Sequence, residues 1–229
     1  MNPSVENIIR KYQSTFHPVV AFDPSKQKIL EMDFTSNNKE LSADILGNTE
    51  KFSEYIDQKL KKADAVYGMG GYNELRTVYD RSKLFDAPGE PRRLHLGIDV
   101  WGKAGTPVYA FMGGMIHSFA FNDRFGDYGA TLVLLHQLDG LNFYTLYGHI
   151  SLEDIKNRNA GQYVTRGEVI AHFGEPNENG HWPPHLHFQL ILDMELKEGD
   201  YPGVCKYSER EKYLANCPDP GSILNLSLK

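Results

Sequence analysis

Apolar residues recur at helical spacing in two stretches near the start of the chain, and each stretch predicts an amphipathic helix. The first helix is expected over residues 4–14 after a Pro3-Ser4 start, and the second over residues 49–63, with lysines in its last turn. The two stripes consist of Val5, Ile8, Ile9 and Tyr12, and of Phe52, Tyr55, Ile56 and Leu60. Between the helices, residues 19–22 and 29–34 have the composition of strands.

The pattern changes near residue 66, where glycines interrupt the helical spacing. From there, short alternating segments are separated by glycine, proline and asparagine, which is typical of a compact antiparallel β domain. The predicted strands are residues 94–100, 107–111, 114–121, 130–137, 141–149, 168–172 and 185–193. We therefore expect a mainly β fold, with an α/β N-terminal extension over residues 1–66 and a β domain over residues 67–229. The tail of this domain, residues 195–229, is rich in proline and charge, with one helical turn predicted at Ser208–Leu214.

Charge and composition narrow the range of partners and locations. The chain has 229 residues with 24 basic and 30 acidic side chains, a net charge of −6, which argues against a nucleic-acid partner. Its longest apolar runs are about half of the roughly 20 residues that a membrane span needs, so no span is expected. The charged first residues do not resemble a signal peptide, so we expect a cytoplasmic protein. A periplasmic or extracellular location is the alternative if a leader has been removed, and the sequence does not indicate the oligomeric state.

Cys205 and Cys217 are the two cysteines of the chain. Two are too few for a secreted scaffold held together by disulfides. Unpaired thiols are expected in the predicted compartment, and a Cys205–Cys217 disulfide is the alternative.

Two histidines stand two residues apart in the segment 184–190. In a strand, alternate residues face the same side, so His185 and His187 share one face with Gln189, while the intervening apolar residues face the core. Two imidazoles on one face can serve one metal ion, either as two ligands or as one ligand and one acid–base group. This pattern therefore marks 184–190 as a candidate metal-binding segment.

Two further segments add candidate chemistry. His95 and Asp99 would lie roughly 13 Å apart in a straight strand, too far to share an ion, but Gly97 between them permits a bend. His149 follows Gly148 at the end of an apolar strand, where sites are commonly built. His95, Asp99 and one histidine of the pair at 185 and 187 have the composition of a catalytic zinc site with an open position for water. The histidines left over are available for proton transfer and oxyanion stabilisation.

In their order along the chain, these segments and the glycine-rich stretches between them resemble the lysostaphin-type (LytM-like) zinc metallopeptidases, which are peptidoglycan endopeptidases. The matching stretches are Leu94–Val100, Ala104–Ala110, Gly113–Ile116, Tyr147–Ser151, Gly161–Val164 with Gly167, and Pro184–Phe188. The resemblance implies one Zn²⁺ per chain held by His95, Asp99 and His187. It implies that His149 and His185 are the two catalytic histidines that do not bind the metal. It also implies a compact antiparallel sheet with the site in a groove framed by loops.

The expected function is therefore a zinc-dependent metalloendopeptidase that acts by metal-activated water on peptidoglycan or on peptides derived from it. One alternative is a non-catalytic, zinc-containing binding or regulatory module on the same fold. A second is a cupin-like metal enzyme, although such enzymes place their paired histidines early and add ligands downstream, whereas here the pair comes last. Residues 178–184 are bulkier than the small, polar segment usual in the family, and this difference bears on the substrate. The sequence does not decide which of His149 and His185 is the general base.

Overall fold

The strands and helices are taken from a computed structural model that describes residues 5–224 of the chain. The α-helices are α1 (Val5–Tyr12), α2 (Ala43–Gly47), α3 (Thr49–Ala63), α4 (Arg210–Asn216) and α5 (Gly221–Leu224). The strands are β1 (Ile29–Met32), β2 (Tyr67–Gly70), β3 (Leu94–His95), β4 (Ile98–Trp101), β5 (Pro107–Tyr109), β6 (Gly114–Asn122), β7 (Gly129–Leu138), β8 (Leu141–Ile150), β9 (Tyr163–Val164), β10 (Val169–His172), β11 (His185–Ile191) and β12 (Val204–Cys205). Short 3₁₀ helices cover Gln13–Thr15, Val78–Arg81, Lys83–Phe85, Leu152–Ile155 and Tyr207–Glu209. No helix among residues 5–224 is both long and apolar enough to cross a membrane.

One eight-stranded sheet dominates the structure, with the strand order β1-β2-β4-β11-β8-β7-β6-β9. Adjacent strands of this sheet run antiparallel, except that β1 runs parallel to β2. Two-stranded sheets pair β10 with β5 and β12 with β3. The prediction of a mainly β fold is confirmed, and the parallel β1–β2 pair makes the large sheet mixed instead of purely antiparallel.

Both predicted N-terminal helices form. Asn48 caps α3 by accepting a hydrogen bond from the Lys51 amide at 3.0 Å, and Asp64 ends the helix in the left-handed conformation. The Pro3-Ser4 start predicted for the first helix lies outside the described residues. The helical turn predicted at 208–214 appears as a 3₁₀ turn followed by α4.

The strand predicted over residues 19–22 is wrong. Val19 and Val20 are fully buried in the main hydrophobic cluster, but they lie outside the strands of the sheet. A short apolar run indicates burial and does not by itself distinguish a strand from a buried loop. The prediction for residues 94–100 also needs correction, because the chain breaks at Leu96-Gly97 into β3 and β4.

Residues from the predicted N-terminal extension pack against the centre of the large sheet. The ring of Phe34 lies 5.0 Å from that of Trp101, and the ring of Phe52 on α3 lies 5.9 Å from Trp101 and 6.5 Å from Trp182. Trp101 in turn stacks on His185 at 3.9 Å. The N-terminal residues thereby contribute to the wall behind a candidate catalytic histidine. The division into units 1–66 and 67–229 stays a prediction.

Both cysteines are buried, free thiols. Burial raises the pKa of Cys205 and of Cys217 to about 12, so both are protonated at neutral pH. The expectation of unpaired cysteines is confirmed, and neither thiol has the lowered pKa of a reactive one.

His136 on β7 is a buried histidine away from the metal-binding segments. Its Nδ1 lies 3.0 Å from the carbonyl oxygen of Gly113 and its Nε2 lies 2.8 Å from the Thr145 hydroxyl. Because a carbonyl only accepts, Nδ1–H donates to Gly113 and Nε2 accepts from Thr145. Burial lowers the pKa of His136 to about 4, so the imidazole is neutral at pH 7.

This burial makes His136 a source of acid sensitivity. The pKa in the folded chain lies below the ordinary 6.5, so the unfolded chain binds more protons between pH 6.5 and about 4. The contribution of the neutral imidazole to stability is complete above pH 6.5 and is lost as the pH falls. When the pH is lowered from 7 to 4, the free energy of unfolding should fall less in His136→Gln than in the parent. The difference between the two decreases should reach up to about 3 kcal/mol. Urea unfolding across this range tests this, and parallel pH profiles for the two proteins would contradict it.

Candidate metal centre and active site

The large sheet brings the candidate metal ligands together. In the antiparallel pairing of β11 with β4, His187 stands directly opposite Asp99. Cβ atoms of such opposite residues lie roughly 4.5–5.5 Å apart, so the two side chains meet on one face. His95 reaches the same point from β3, because the chain turns between β3 and β4.

Three donor atoms form a small triangle. His95 Nε2 lies 2.9 Å from His187 Nδ1 and 3.3 Å from Asp99 Oδ1, and His187 Nδ1 lies 3.0 Å from the same oxygen. A tetrahedral ion with bonds of roughly 2.0–2.1 Å holds its ligand atoms about 3.3 Å apart. The triangle therefore has the size of one face of a tetrahedral metal site.

Gly97 allows the backbone to pack closely against the His187 ring at this site. A Cβ atom there would lie 2.7 Å from Cε1 of His187 and 2.7 Å from the carbonyl oxygen of Phe188. The sequence suggested that glycine permits a bend, and the turn is present. Its absent side chain also leaves the space that the His187 ring occupies.

The tautomers of His95 and His187 are set by hydrogen bonds to the ring nitrogen that faces away from the triangle. His95 Nδ1 lies 2.9 Å from the Gly71 carbonyl oxygen, which can only accept, so the lone pair is on Nε2. His187 Nε2 lies 2.9 Å from Oε1 of Gln189, whose amide nitrogen donates to the Pro202 carbonyl. The lone pair of His187 is therefore on Nδ1. Two lone pairs and a carboxylate oxygen converge on one point, and this donor set fits Zn²⁺.

The protonation states also suit a metal. Burial lowers the pKa of His95 to about 4, so its imidazole is neutral at pH 7. Burial opposes ionisation of Asp99, but the neighbouring His95 and Arg76 hold the pKa of this carboxyl well below its usual range. The triangle therefore offers a neutral imidazole and an ionised carboxylate without the release of a proton from either.

His149 occupies a bulge in β8. Ala130 pairs with Ile150 and Leu132 with Tyr147, so Thr131 alone stands opposite both Gly148 and His149. The φ angle of His149 is 62°, a left-handed conformation that is uncommon for a residue with a side chain. Bulges of this kind redirect a side chain, and such strain clusters at functional sites. The predicted position at the end of a strand becomes a bulge that directs the imidazole into the site.

His149 and His185 share one arrangement. Nδ1 of each lies 2.8 Å from a backbone carbonyl oxygen, that of Asn179 for His149 and that of Pro183 for His185. Each therefore carries its proton on Nδ1 and a lone pair on Nε2, and the ring centroids are 4.2 Å apart. Burial lowers the pKa of His185 to about 4 and that of His149 well below its usual value. Both imidazoles are thus neutral proton acceptors at pH 7.

The site lies in a pocket. Asp99, His149, His185 and His187 line a cavity of about 120 Å³, together with residues of the 3₁₀ segments and of 200–204. Each of the five predicted site residues is at most 6% exposed. This space is large enough for more than one water molecule.

Several residues around the site were not predicted from the sequence. They are Gly71, Arg76, Trp101, Tyr128 and Asn179. No short-range signal marks them, because their contacts with the site residues are mostly made across strands or from distant loops. Gln189 is different, since its place on the face of His185 and His187 was predicted from alternation, although its contact with His187 was not. His172, which is not one of the predicted site residues, pairs with Asp154 at 3.0 Å.

The fold and the donor set define a mainly β protein in which two histidines and one carboxylate form a candidate metal centre beside two neutral histidines. Residues 93–198 match the model of peptidase family M23. Over this segment of the chain, the resemblance noted in the sequence is confirmed.

Curated relatives carry related names. An L-Ala–D-Glu endopeptidase of Bacillus subtilis is 32% identical over 146 residues, which cover 61% of this chain and 43% of that protein. A DD-carboxypeptidase/endopeptidase Mpg of Neisseria gonorrhoeae is 36% identical over 129 residues, covering 54% of this chain and 27% of that protein. The chain thus spans less than half the length of these relatives.

Solved structures show a partial likeness. The catalytic domain of lysostaphin from Staphylococcus simulans is 21% identical, with a TM-score of 0.45, over 76% of this chain and 97% of that one. A zinc-containing peptidase from Vibrio cholerae is 30% identical, with a TM-score of 0.35, over 46% of this chain and 29% of that one.

Proposed function

We propose that this chain is a zinc-dependent metalloendopeptidase that hydrolyses peptide bonds of peptidoglycan or of peptides derived from it. One Zn²⁺ per chain is held by His95, Asp99 and His187. The observation that carries the proposal is the convergence of two preset lone pairs and a carboxylate oxygen on one point, beside two neutral imidazoles. The M23 match over residues 93–198 and the peptidase names of the curated relatives support it.

Zn²⁺ at this centre supplies Lewis acidity, which polarises a scissile carbonyl and lowers the pKa of a water towards 7. Asp99 contributes the one negative charge of the donor set and Gln189 holds the His187 ring in its ligating tautomer. Arg76 binds the second oxygen of Asp99, so the carboxylate offers Oδ1 to the ion.

His149 and His185 are the acid–base groups of the proposed reaction. Each has its Nδ1–H held by a backbone carbonyl and a lone pair on Nε2, so each takes up a proton at Nε2 without turning its ring. One of them accepts the proton of the attacking water and returns it to the leaving nitrogen. The other takes up a proton from solvent at Nε2 as negative charge develops on the carbonyl oxygen, stabilises that charge, and releases the proton to solvent when the carbonyl re-forms. A general acid–base group of this kind contributes roughly 100- to 10,000-fold to the rate.

A panel of defined substrates tests the proposal. It contains oligoglycine, stem peptides with D-amino-acid bonds, and an ordinary peptide unrelated to the cell wall, and the products are identified by mass spectrometry. We expect cleavage of one wall-derived class, into fragments whose masses sum to the substrate plus one water. Activity should disappear after chelation and return when Zn²⁺ is added.

The panel also distinguishes the alternative functions. A chain with one zinc per molecule that cleaves no member of the panel would favour a non-catalytic module on the same fold. Preferential cleavage of the unrelated peptide would contradict the assigned substrate class while leaving the peptidase activity in place.

A further inference from the structure

Arg76 is a buried arginine in the segment between β2 and β3, outside the residues that match the M23 model. Its side chain is 1% exposed, yet it carries a full charge. Nη1 donates to Oδ2 of Asp99 at 2.5 Å, and Nε donates to Oε2 of Glu74 at 2.6 Å. A buried arginine bonded to a candidate metal ligand is in a position to influence that ligand.

Because of the guanidinium, the two carboxylate oxygens of Asp99 have different partners. Oδ2 faces Arg76, while Oδ1 faces the ring nitrogens of His95 and His187 at 3.3 and 3.0 Å. A free carboxylate can rotate and present either oxygen or both. Because the planar guanidinium offers its donors in a fixed fork, it holds the carboxylate plane in one orientation.

The same guanidinium is connected to a second ligand through Gly71. The Gly71 carbonyl oxygen accepts from Arg76 Nη2 at 3.1 Å and from His95 Nδ1 at 2.9 Å. Arg76 therefore touches Asp99 directly and is one hydrogen-bonded group away from His95. One side chain links the orientation of two of the three donors in the triangle.

The surroundings leave Arg76 little freedom. A Cβ atom on Gly70 would lie 2.6 Å from Nη2, so this glycine provides space for the guanidinium. The ring of Phe34 covers the guanidinium, with its centroid 5.2 Å from Cζ. Glu74 holds the Nε side. Contacts on these sides fix the guanidinium in the orientation that Asp99 requires.

We propose that Arg76 is a positioning residue of the metal centre, which orients Asp99 directly and His95 through the Gly71 carbonyl. This inference rests on the proposed function, since it assumes that His95, Asp99 and His187 hold Zn²⁺. Outer groups that orient metal ligands typically contribute 10- to 100-fold to metal affinity. Lysine cannot replace Arg76, because an ammonium lacks the planar fork that reaches Asp99, Glu74 and the Gly71 carbonyl together.

A simpler role for Arg76 predicts the opposite result. If Arg76 only neutralised buried carboxylates, its positive charge would repel a divalent cation a few ångströms away. Removal of that charge would then tighten zinc binding, and lysine would leave it unchanged. The direction of the change in zinc affinity therefore separates positioning from charge compensation.

The experiment measures Zn²⁺ affinity of the full chain by competition with a chromophoric chelator, after the protein has been stripped of metal. We expect Arg76→Lys and Arg76→Met each to weaken binding by about 10- to 100-fold. Arg93→Lys is the matched control, because Arg93 pairs with Asp80 and Asp86 away from the triangle, and it should bind zinc like the parent. The absorption spectrum of the Co²⁺-loaded Arg76→Lys protein should also differ from that of the parent, since Asp99 is no longer held in place.

A second variant keeps the test decisive if Arg76→Met does not fold. Glu74→Gln keeps Arg76 and its bond to Asp99 but weakens the anchor at Nε, so we expect a smaller loss of zinc affinity than in Arg76→Lys. Unchanged zinc affinity in both Arg76→Lys and Glu74→Gln, or tighter binding in Arg76→Met, would overturn the positioning role while leaving the proposed function intact. A parent chain that bound no zinc would instead overturn the proposed function, and this inference with it.

Discussion

His187→Ala should lose its stoichiometric zinc and, with it, peptidase activity. The substitution leaves His95 and Asp99 as the only protein ligands, and structural and catalytic zinc sites ordinarily use at least three. His187 is also held in the sheet on both sides, because β11 pairs with β4 on one side and with β8 on the other. The measurement is the zinc content per chain after dialysis, beside turnover on the substrate that the panel identifies.

The matched control for this prediction is His172→Ala. His172 is paired with Asp154 outside the triangle, so its removal takes away an imidazole without touching the metal centre. We expect this protein to keep one zinc per chain. If His187→Ala retained one tightly held zinc, the assignment of His95, Asp99 and His187 as the metal ligands would be wrong.

His149→Ala and His185→Ala should show the reverse behaviour, with zinc near one equivalent and a much lower kcat. Each imidazole is held through Nδ1 by a backbone carbonyl and carries its lone pair on Nε2, which suits proton transfer. General acid–base and oxyanion contributions are each worth roughly 100- to 10,000-fold. The rings lie 4.2 Å apart and act on the same reaction, so the double variant should lose less than the product of the two single losses.

Zinc content and turnover measured on the same preparations separate the outcomes. Full zinc with turnover close to the parent in both variants would show that His149 and His185 are structural residues. Loss of zinc in His185→Ala would mean that the wrong histidine of the pair on β11 has been assigned to the metal. Because Trp101 stacks on His185 at 3.9 Å, His185→Gln is a useful second variant that fills more of the space.

The sequence by itself determined the features that depend on local periodicity and short motifs. Apolar stripes at helical spacing located α1 and α3, and alternation located the strands from β6 to β8 and β11. The same alternation placed His185, His187 and Gln189 on one face of β11. Residue types and spacing identified two imidazoles and a carboxylate as a candidate metal-binding set, and the resemblance assigned His95, Asp99 and His187. The predictions of elements and of the shared face succeed because strand and helix periods are properties of neighbouring residues, whereas the assignment of the metal ligands stays a prediction.

Only the tertiary structure decided how the parts meet. The register that sets His187 opposite Asp99 joins residues 88 positions apart, and no local pattern encodes it. The same holds for the parallel β1–β2 pair and for Val19 and Val20, which are buried without forming a strand. The tautomers of the site histidines depend on carbonyl and amide oxygens brought in by other segments. Arg76 contacts Asp99 because β2 lies beside β4 and Gly70 leaves room for the guanidinium, so the role proposed for Arg76 depends on packing and not on its place in the sequence.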